Sequence, residues 1–189
     1  MDLGISGRQA IVCGSSKGPG KACALALVKE GVNVVVSART EADLLATADE
    51  LRAVGPGEVR AVAADVTTDE GREALFAACP EPDILVNNAG GPPPGDFRDW
   101  RQDDWFNAVN ANMYTAIDMI RRSLDGMIER KFGRIVNITS VAVKQPVGEL
   151  GLSNGARSGL TGFIAGIAHE PPEADVHDDA EDGQQRRCK

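Results

Sequence analysis

Residues 10–20 read Ala10-Ile11-Val12-Cys13-Gly14-Ser15-Ser16-Lys17-Gly18-Pro19-Gly20. Four apolar residues run into a glycine-rich turn, an Ala/Leu-rich helical pattern follows to Gly31, and Val32 to Val36 reads as a second strand. In a strand–turn–helix–strand unit of this kind the glycines let the backbone approach a pyrophosphate closely. The helix then aims its first amides at the anion. The chain holds 21 glycines, so three in a loop say little by themselves. Their place between a strand and a helix gives the spacing its weight. Gly14, Gly18 and Gly20, with Ser16 and Lys17 between them, are candidate dinucleotide-binding residues.

Outward from this unit, strands and helices keep alternating. The first helix spans about Gly20 to Glu30, with Ala22, Leu25, Ala26 and Val28 expected to face the sheet. Val32 to Val36 is too apolar for a half-exposed strand and suits a parallel one covered on both faces. Glu41 to Val54 reads as helix, stopped by Gly55-Pro56-Gly57. Val59 to Ala64 is a third strand, and Thr68 caps a helix over Asp69 to Ala78. Ile84 to Val86 is a fourth strand, closed by Asn87-Asn88-Ala89-Gly90. One long helix is expected from about Asp103 to Arg130, a fifth strand over Phe132 to Thr139, and a helix over Leu152 to Ala168. Gly155, Gly159, Gly162 and Gly166 recur on that last helix, which suggests a flat face against a neighbouring helix or subunit. The pattern is an α/β fold around a parallel sheet.

Composition narrows the function classes. The net charge of −8 argues against nonspecific nucleic-acid binding. No apolar stretch is long enough to span a bilayer, and no basic-then-apolar leader opens the sequence, so a cytoplasmic, non-membrane protein is expected. Four unpaired cysteines suit a reducing compartment, and two histidines make a metal site improbable. From Glu170 to Lys189 there are seven acidic and three basic residues with one β-branched residue, Val176. That segment reads as a disordered acidic tail, giving a domain over 1–169 and a tail over 170–189.

The motifs Gly14-x-x-x-Gly18-x-Gly20, Asp65-Val66, Asn87-Asn88-Ala89-Gly90, Asn112, and Gly133 to Ser140 occur here in order. On these residues the chain resembles the short-chain dehydrogenase/reductase family, near its 3-oxoacyl-acyl-carrier-protein reductase branch. The resemblance covers about Leu3 to Ala168. It implies a Rossmann-like parallel sheet with helices on both faces, hydride transfer between a nicotinamide and a carbonyl or hydroxyl carbon, and a small-molecule substrate. It also implies a homo-oligomer joined through the helices at about 105–130 and 152–168. By the same resemblance Asp65 and Val66 hold the adenine, and Asn88, Ala89 and Gly90 line the adenosine pocket. After Ala168 the family's further strands are not legible. The expectation is a sheet ending at Arg134 to Ile138 with an open edge, which invites pairing with another chain.

Charge bears on the cofactor. Ala38 stands where readers of NAD place an acid, and Arg39 follows it, with Lys17 in the glycine loop. NADP is therefore expected in preference to NAD, its 2′-phosphate gripped by cations. For catalysis the resemblance assigns Ser140 to carbonyl polarisation and Asn112 to a proton relay. The family's Tyr-x-x-x-Lys is replaced by Ser153-Asn154-Gly155-Ala156-Arg157. A serine hydroxyl is a far poorer acid than a phenol of pKa about 10. Ser153 stands at the position of the acid, and Arg157, charged but no drop-in lysine, could still hold ribose or phosphate oxygens of the cofactor. The only tyrosine, Tyr114, is expected to pack. Three readings stay open: an NADP-dependent oxidoreductase, a catalytically impaired nucleotide-binding relative, and an assembly fragment that binds no cofactor.

Overall fold

The computed structural model describes residues 2–168 and 176–180. The elements are β1 (Gln9–Val12), α1 (Gly18–Lys29), β2 (Asn33–Ala38), α2 (Glu41–Arg52), β3 (Val59–Ala63), α3 (Asp69–Ala78) and β4 (Ile84–Asn87). There follow α4 (Gln102–Val109), a π-helical turn (Asn110–Tyr114), α5 (Thr115–Glu129), β5 (Gly133–Asn137), α6 (Gly151–Ile167) and β6 (Val176–Ala180). All strands are parallel, in the order β3-β2-β1-β4-β5-β6. The chain winds one way from β1 to β3 and the other way from β4. A crevice therefore opens beyond the carboxyl ends of β1 and β4, the usual place for a ligand in such sheets.

Alternation within β1 explains the two cores. Ala10 and Val12 point to one face, where they meet Ala24 and Val28 of α1 and Leu44, Ala48 and Leu51 of α2. Ile11 and Cys13 point to the other, against Leu75 of α3, Met119 and Ile120 of α5, and Leu160 and Ile164 of α6. Both faces are covered, so the strands read as apolar runs. The face expected for α1 is corrected. Gly20, Ala24 and Val28 are buried, while Ala22 and Ala26 are exposed. Gly20 sets that phase, because a Cβ there would lie 2.5 Å from the Gly14 carbonyl oxygen.

Two further expectations change. The long helix is interrupted at Asn110–Tyr114, where the Thr115 N–H bonds back to the Asn110 carbonyl and the Thr115 hydroxyl donates to the same oxygen at 2.8 Å. The β5 edge is not open. Gly133 to Asn137 pair in register with Val176 to Ala180, so this part of the expected tail joins the sheet. Strand pairing uses main-chain groups that every residue but proline carries, so a segment with one β-branched residue can add to an edge. The rest of the expected tail lies outside the described residues.

The glycine face of α6 is covered in part from within the chain. Trp100 lies over Gly151, Trp105 over Gly155 and Met113 over Gly159, with the two indoles edge-to-face at 6.1 Å. Gly162 and Gly166 meet nothing within 4 Å among the described residues.

Candidate functional site

The crevice is a cleft of about 800 Å³ walled by the glycine loop, the ends of β2 to β4, and the start of α4 to the π-turn. Gly14, Ser16, Lys17 and Gly18 line it. Gly14 adopts φ 57°, and a Cβ there would meet the Asn88 carbonyl oxygen and side-chain nitrogen at 2.9 Å. Gly20 lies buried beneath the loop and lets α1 close on it. The loop is braced from below. Ser15 Oγ donates toward the Val12 and Ser37 carbonyls and accepts from the Ser37 N–H at 2.9 Å, tying the end of β1 to that of β2. Thr47 Oγ1 holds the Ser16 carbonyl at 2.9 Å. The first turn of α1 carries no acid, so its positive end faces the cleft unneutralised.

At the far wall Ala38 ends β2, and exposed Arg39 and Lys17 both line the cleft. Neither side chain makes an ion pair or hydrogen bond among the described residues. A grouped, unpaired pair of cations beside an alanine fits a phosphate better than a ribose hydroxyl pair. Asp65 and Val66 lie on the same wall, where Asp65 Oδ1 accepts from the Thr67 N–H at 3.0 Å and hydroxyl at 2.8 Å. Asn88, Ala89 and Gly90 complete it, with Asn88 Nδ2 donating to the Gly14 carbonyl at 3.0 Å. The cleft thus brings together all the expected dinucleotide residues except Gly20, which supports it from behind. This glycine cradle and its cations fit a phosphorylated dinucleotide.

The four expected catalytic residues part company. The π-turn turns Asn112 inward. It is 5% exposed, lines the cleft, and also lines a cavity of about 20 Å³ beneath it. Its Nδ2 donates to the Ala108 carbonyl at 3.4 Å, while its Oδ1 and that of Asn87 have no partner among the described residues. π-turns of this sort recur at functional sites. Arg157 lines the lower cavity only, 7% exposed, and donates to the Ile138 and Ala89 carbonyls. Burial pushes its pKa below the ordinary guanidinium value. Ser140 caps the 3-10 turn Val141–Val143, accepting from the Ala142 N–H at 3.2 Å. Ser153 is buried in the first turn of α6. Neither serine lines the cleft. Tyr114 is half exposed, lines neither cavity, and has the Arg72 guanidinium 5.7 Å from its ring centre. Cys13 also lines the lower cavity. Burial raises its thiol to about 12 against an opposing hydrogen bond from Asn88, so it stays neutral and is no nucleophile.

Sequence reasoning missed the wall formed by Asp104, Asn107, Ala108 and Ala111, together with Thr67 and Leu152. Residues 104, 107, 108 and 111 follow helical spacing on the face opposite the apolar stripe, where only Asp104 and Asn107 are polar, so the signal in the sequence is slight. Among the described residues no group of three or more His, Cys, Asp or Glu is placed to hold a metal ion, and no helix is long and apolar enough to cross a membrane.

Comparison with known proteins agrees with this geometry. A family model described as short chain dehydrogenase matches residues 8–177. An uncharacterized oxidoreductase of Bacillus subtilis, YvaG, is 40% identical over 151 residues, which cover 79% of this chain and 57% of that protein. The 3-oxoacyl-[acyl-carrier-protein] reductase of Vibrio harveyi is 33% identical over 174 residues, 89% of this chain and 69% of the relative. L-sorbose reductase of Gluconobacter frateurii, solved in complex with NADPH and L-sorbose, superposes with a TM-score of 0.86 at 31% identity, covering 93% of this chain and 68% of that one. The chain therefore spans between half and about two thirds of the length of these relatives.

Proposed function

We propose, for a chain that belongs to the short chain dehydrogenase family, that the cleft binds NADP(H) in preference to NAD(H) and serves hydride transfer to or from a small carbonyl or hydroxyl carbon. One observation carries the reading: two cations without partners among the described residues, Lys17 and Arg39, flank the glycine cradle where β2 ends in Ala38 instead of an acid. The L-sorbose reductase, solved with NADPH, supports it. The bound cofactor would supply or accept the hydride. In this chain Gly14 to Gly20 and the start of α1 take the diphosphate, Lys17 and Arg39 the 2′-phosphate, and Asp65, Val66 and Asn88 to Gly90 the adenosine. Asn112 stands at the polar floor between the cleft and the small cavity.

The proton is the weak point. A carbonyl reduced by hydride needs an acid, and the positions that match the family's tyrosine and lysine hold Ser153 and Arg157. Ser153 is buried and lies outside the cleft, and Ser140, whose oxygen accepts from the Ala142 N–H, does not line the cleft either. The chain is thus a slow member of its family, or acts chiefly by binding nucleotide. The substrate class is a 3-oxoacyl thioester or another small carbonyl, after the reductases it resembles. We also propose a cytoplasmic homo-oligomer through α4–α5 and α6, supported by exposed Phe106 and the partly exposed Trp105 and Val109 on α4. The test is NADPH oxidation with a panel of 3-oxoacyl thioesters, quinones and ketoses, with Ser153→Tyr/Arg157→Lys alongside. Slow or undetectable turnover by the natural chain, raised in the double variant, is expected. Fast turnover by the unaltered chain would overturn the impaired reading.

A further inference from the structure

We propose that Arg157 is a positioning residue: it clamps α6 to the ends of β4 and β5 and so holds the Asn88–Gly90 wall and the glycine loop of the cleft. This rests on the reading of the cleft as a dinucleotide site. The resemblance would place the side chain on the ribose of the cofactor. In the structure Arg157 is absent from the cleft lining and lines only the small cavity that adjoins it. Nη1 donates to the Ile138 carbonyl just beyond β5 at 2.8 Å, and Nη2 reaches the Ala89 carbonyl beyond β4 at 3.4 Å. Nη2 also lies 3.9 Å from where a Cβ on Gly91 would sit, so the fork reaches along the turn as far as Gly91.

The contact continues into the glycine loop. Asn88, next to the clamped Ala89, donates to the Gly14 carbonyl, and its own backbone closes on Gly14 so tightly that a Cβ is excluded. Arg157, Ala89, Asn88 and Gly14 form an unbroken path from α6 to the dinucleotide turn. No carboxylate lies within ion-pair distance of Arg157 among the described residues, although it is 7% exposed. Burying an arginine without a counter-ion is unfavourable, and the two carbonyls are the only partners of its donors among the described residues. A guanidinium can set two N–H groups on two separated carbonyls, whereas an ammonium presents one nitrogen.

The deciding experiment compares the natural chain with Arg157→Met, Arg157→Lys, Asn88→Ala and the Asn88→Ala/Arg157→Met pair. Two ligands are titrated: NADPH, and 2′,5′-ADP, which has the adenosine half and the 2′-phosphate but no nicotinamide ribose. Amide hydrogen exchange is followed in the ligand-free proteins. A clamp weakens both ligands by one common factor of about three- to tenfold in Arg157→Met. It also speeds exchange at residues 14–16 and 88–90 specifically, and makes the Asn88 and Arg157 effects less than additive. Arg157→Lys gives the same changes in smaller measure, and carries the test if Arg157→Met does not fold. Loss of NADPH affinity alone, with 2′,5′-ADP and exchange unchanged, overturns the proposal in favour of direct ribose contact. A uniform rise in exchange over the sheet also overturns it. If the natural chain binds neither ligand, the nucleotide reading fails, and the exchange pattern alone still decides the role of Arg157.

Discussion

Arg72 Nε donates to Asp118 Oδ2 at 2.7 Å, with the two side chains only 5% and 2% exposed, and so bolts α3 to α5. Asp118 also accepts from Arg121 at 2.6 Å and Arg122 at 2.8 Å, and Arg72 and Arg122 both reach Asp69. Burial by itself would raise the Asp118 carboxyl. The bonds from Arg121 and Arg122 and the charges of Arg122 and Arg72 outweigh it and hold the group below its ordinary 3.8.

A carboxyl lowered in the folded state stabilises the protein above its unfolded value and loses that contribution as pH falls through the folded value. Asp118→Asn should cost about 3–5 kcal/mol near neutral pH, because it leaves buried Arg72 without its main partner. The difference from the natural chain should shrink as pH drops below about 3.8. Urea unfolding across that range checks it; a constant difference would mean the network contributes no pH-linked stability.

Two glycines of α6 should respond oppositely to alanine. A Cβ on Gly151 would meet the Trp100 ring at 2.4 and 2.8 Å, so Gly151→Ala should cost about 1–3 kcal/mol by overpacking. Gly162 faces open space, and Gly162→Ala should gain up to about 1 kcal/mol from helix propensity. Melting temperatures of the two variants decide it. The indole fluorescence of Trp100 and Trp105, the chain's two tryptophans, should change in Gly151→Ala only.

Tyr114→Phe should leave any residual NADPH oxidation unchanged, since the phenol lines neither the cleft nor the small cavity. A tenfold or greater fall in turnover would make Tyr114 the missing proton donor and require the π-turn to swing.

The first βαβ unit and the crevice were legible because apolar runs, glycines and the strand–helix alternation are local signals. Other features were not. The phase of α1 is not legible because Ala22 and Ala24 look alike in sequence; the close approach of Gly20 to Gly14 decides it. The π-turn hides inside an unbroken apolar spacing, and what marks it is the bonding of Thr115 to Asn110. Val176–Ala180 pairs through its backbone, which composition does not report. Arg72 and Asp118 stand 46 residues apart, and nothing in either neighbourhood announces the pair. The residue type of Arg157 showed a departure from the family pattern. Only the fold shows that its donors meet the carbonyls of Ile138 and Ala89, just beyond two neighbouring strands.

The proposed grip of Lys17 and Arg39 on a 2′-phosphate predicts a difference between two dinucleotides that share everything else. Fluorescence titration of NADPH and NADH against the natural chain and Arg39→Ala tests it most directly. NADPH should bind more tightly than NADH, and Arg39→Ala should cost NADPH about 1.5–3 kcal/mol, the range for hydrogen bonds to charged groups, while leaving NADH nearly untouched. Equal affinities for the two cofactors, unchanged by the substitution, would contradict the account.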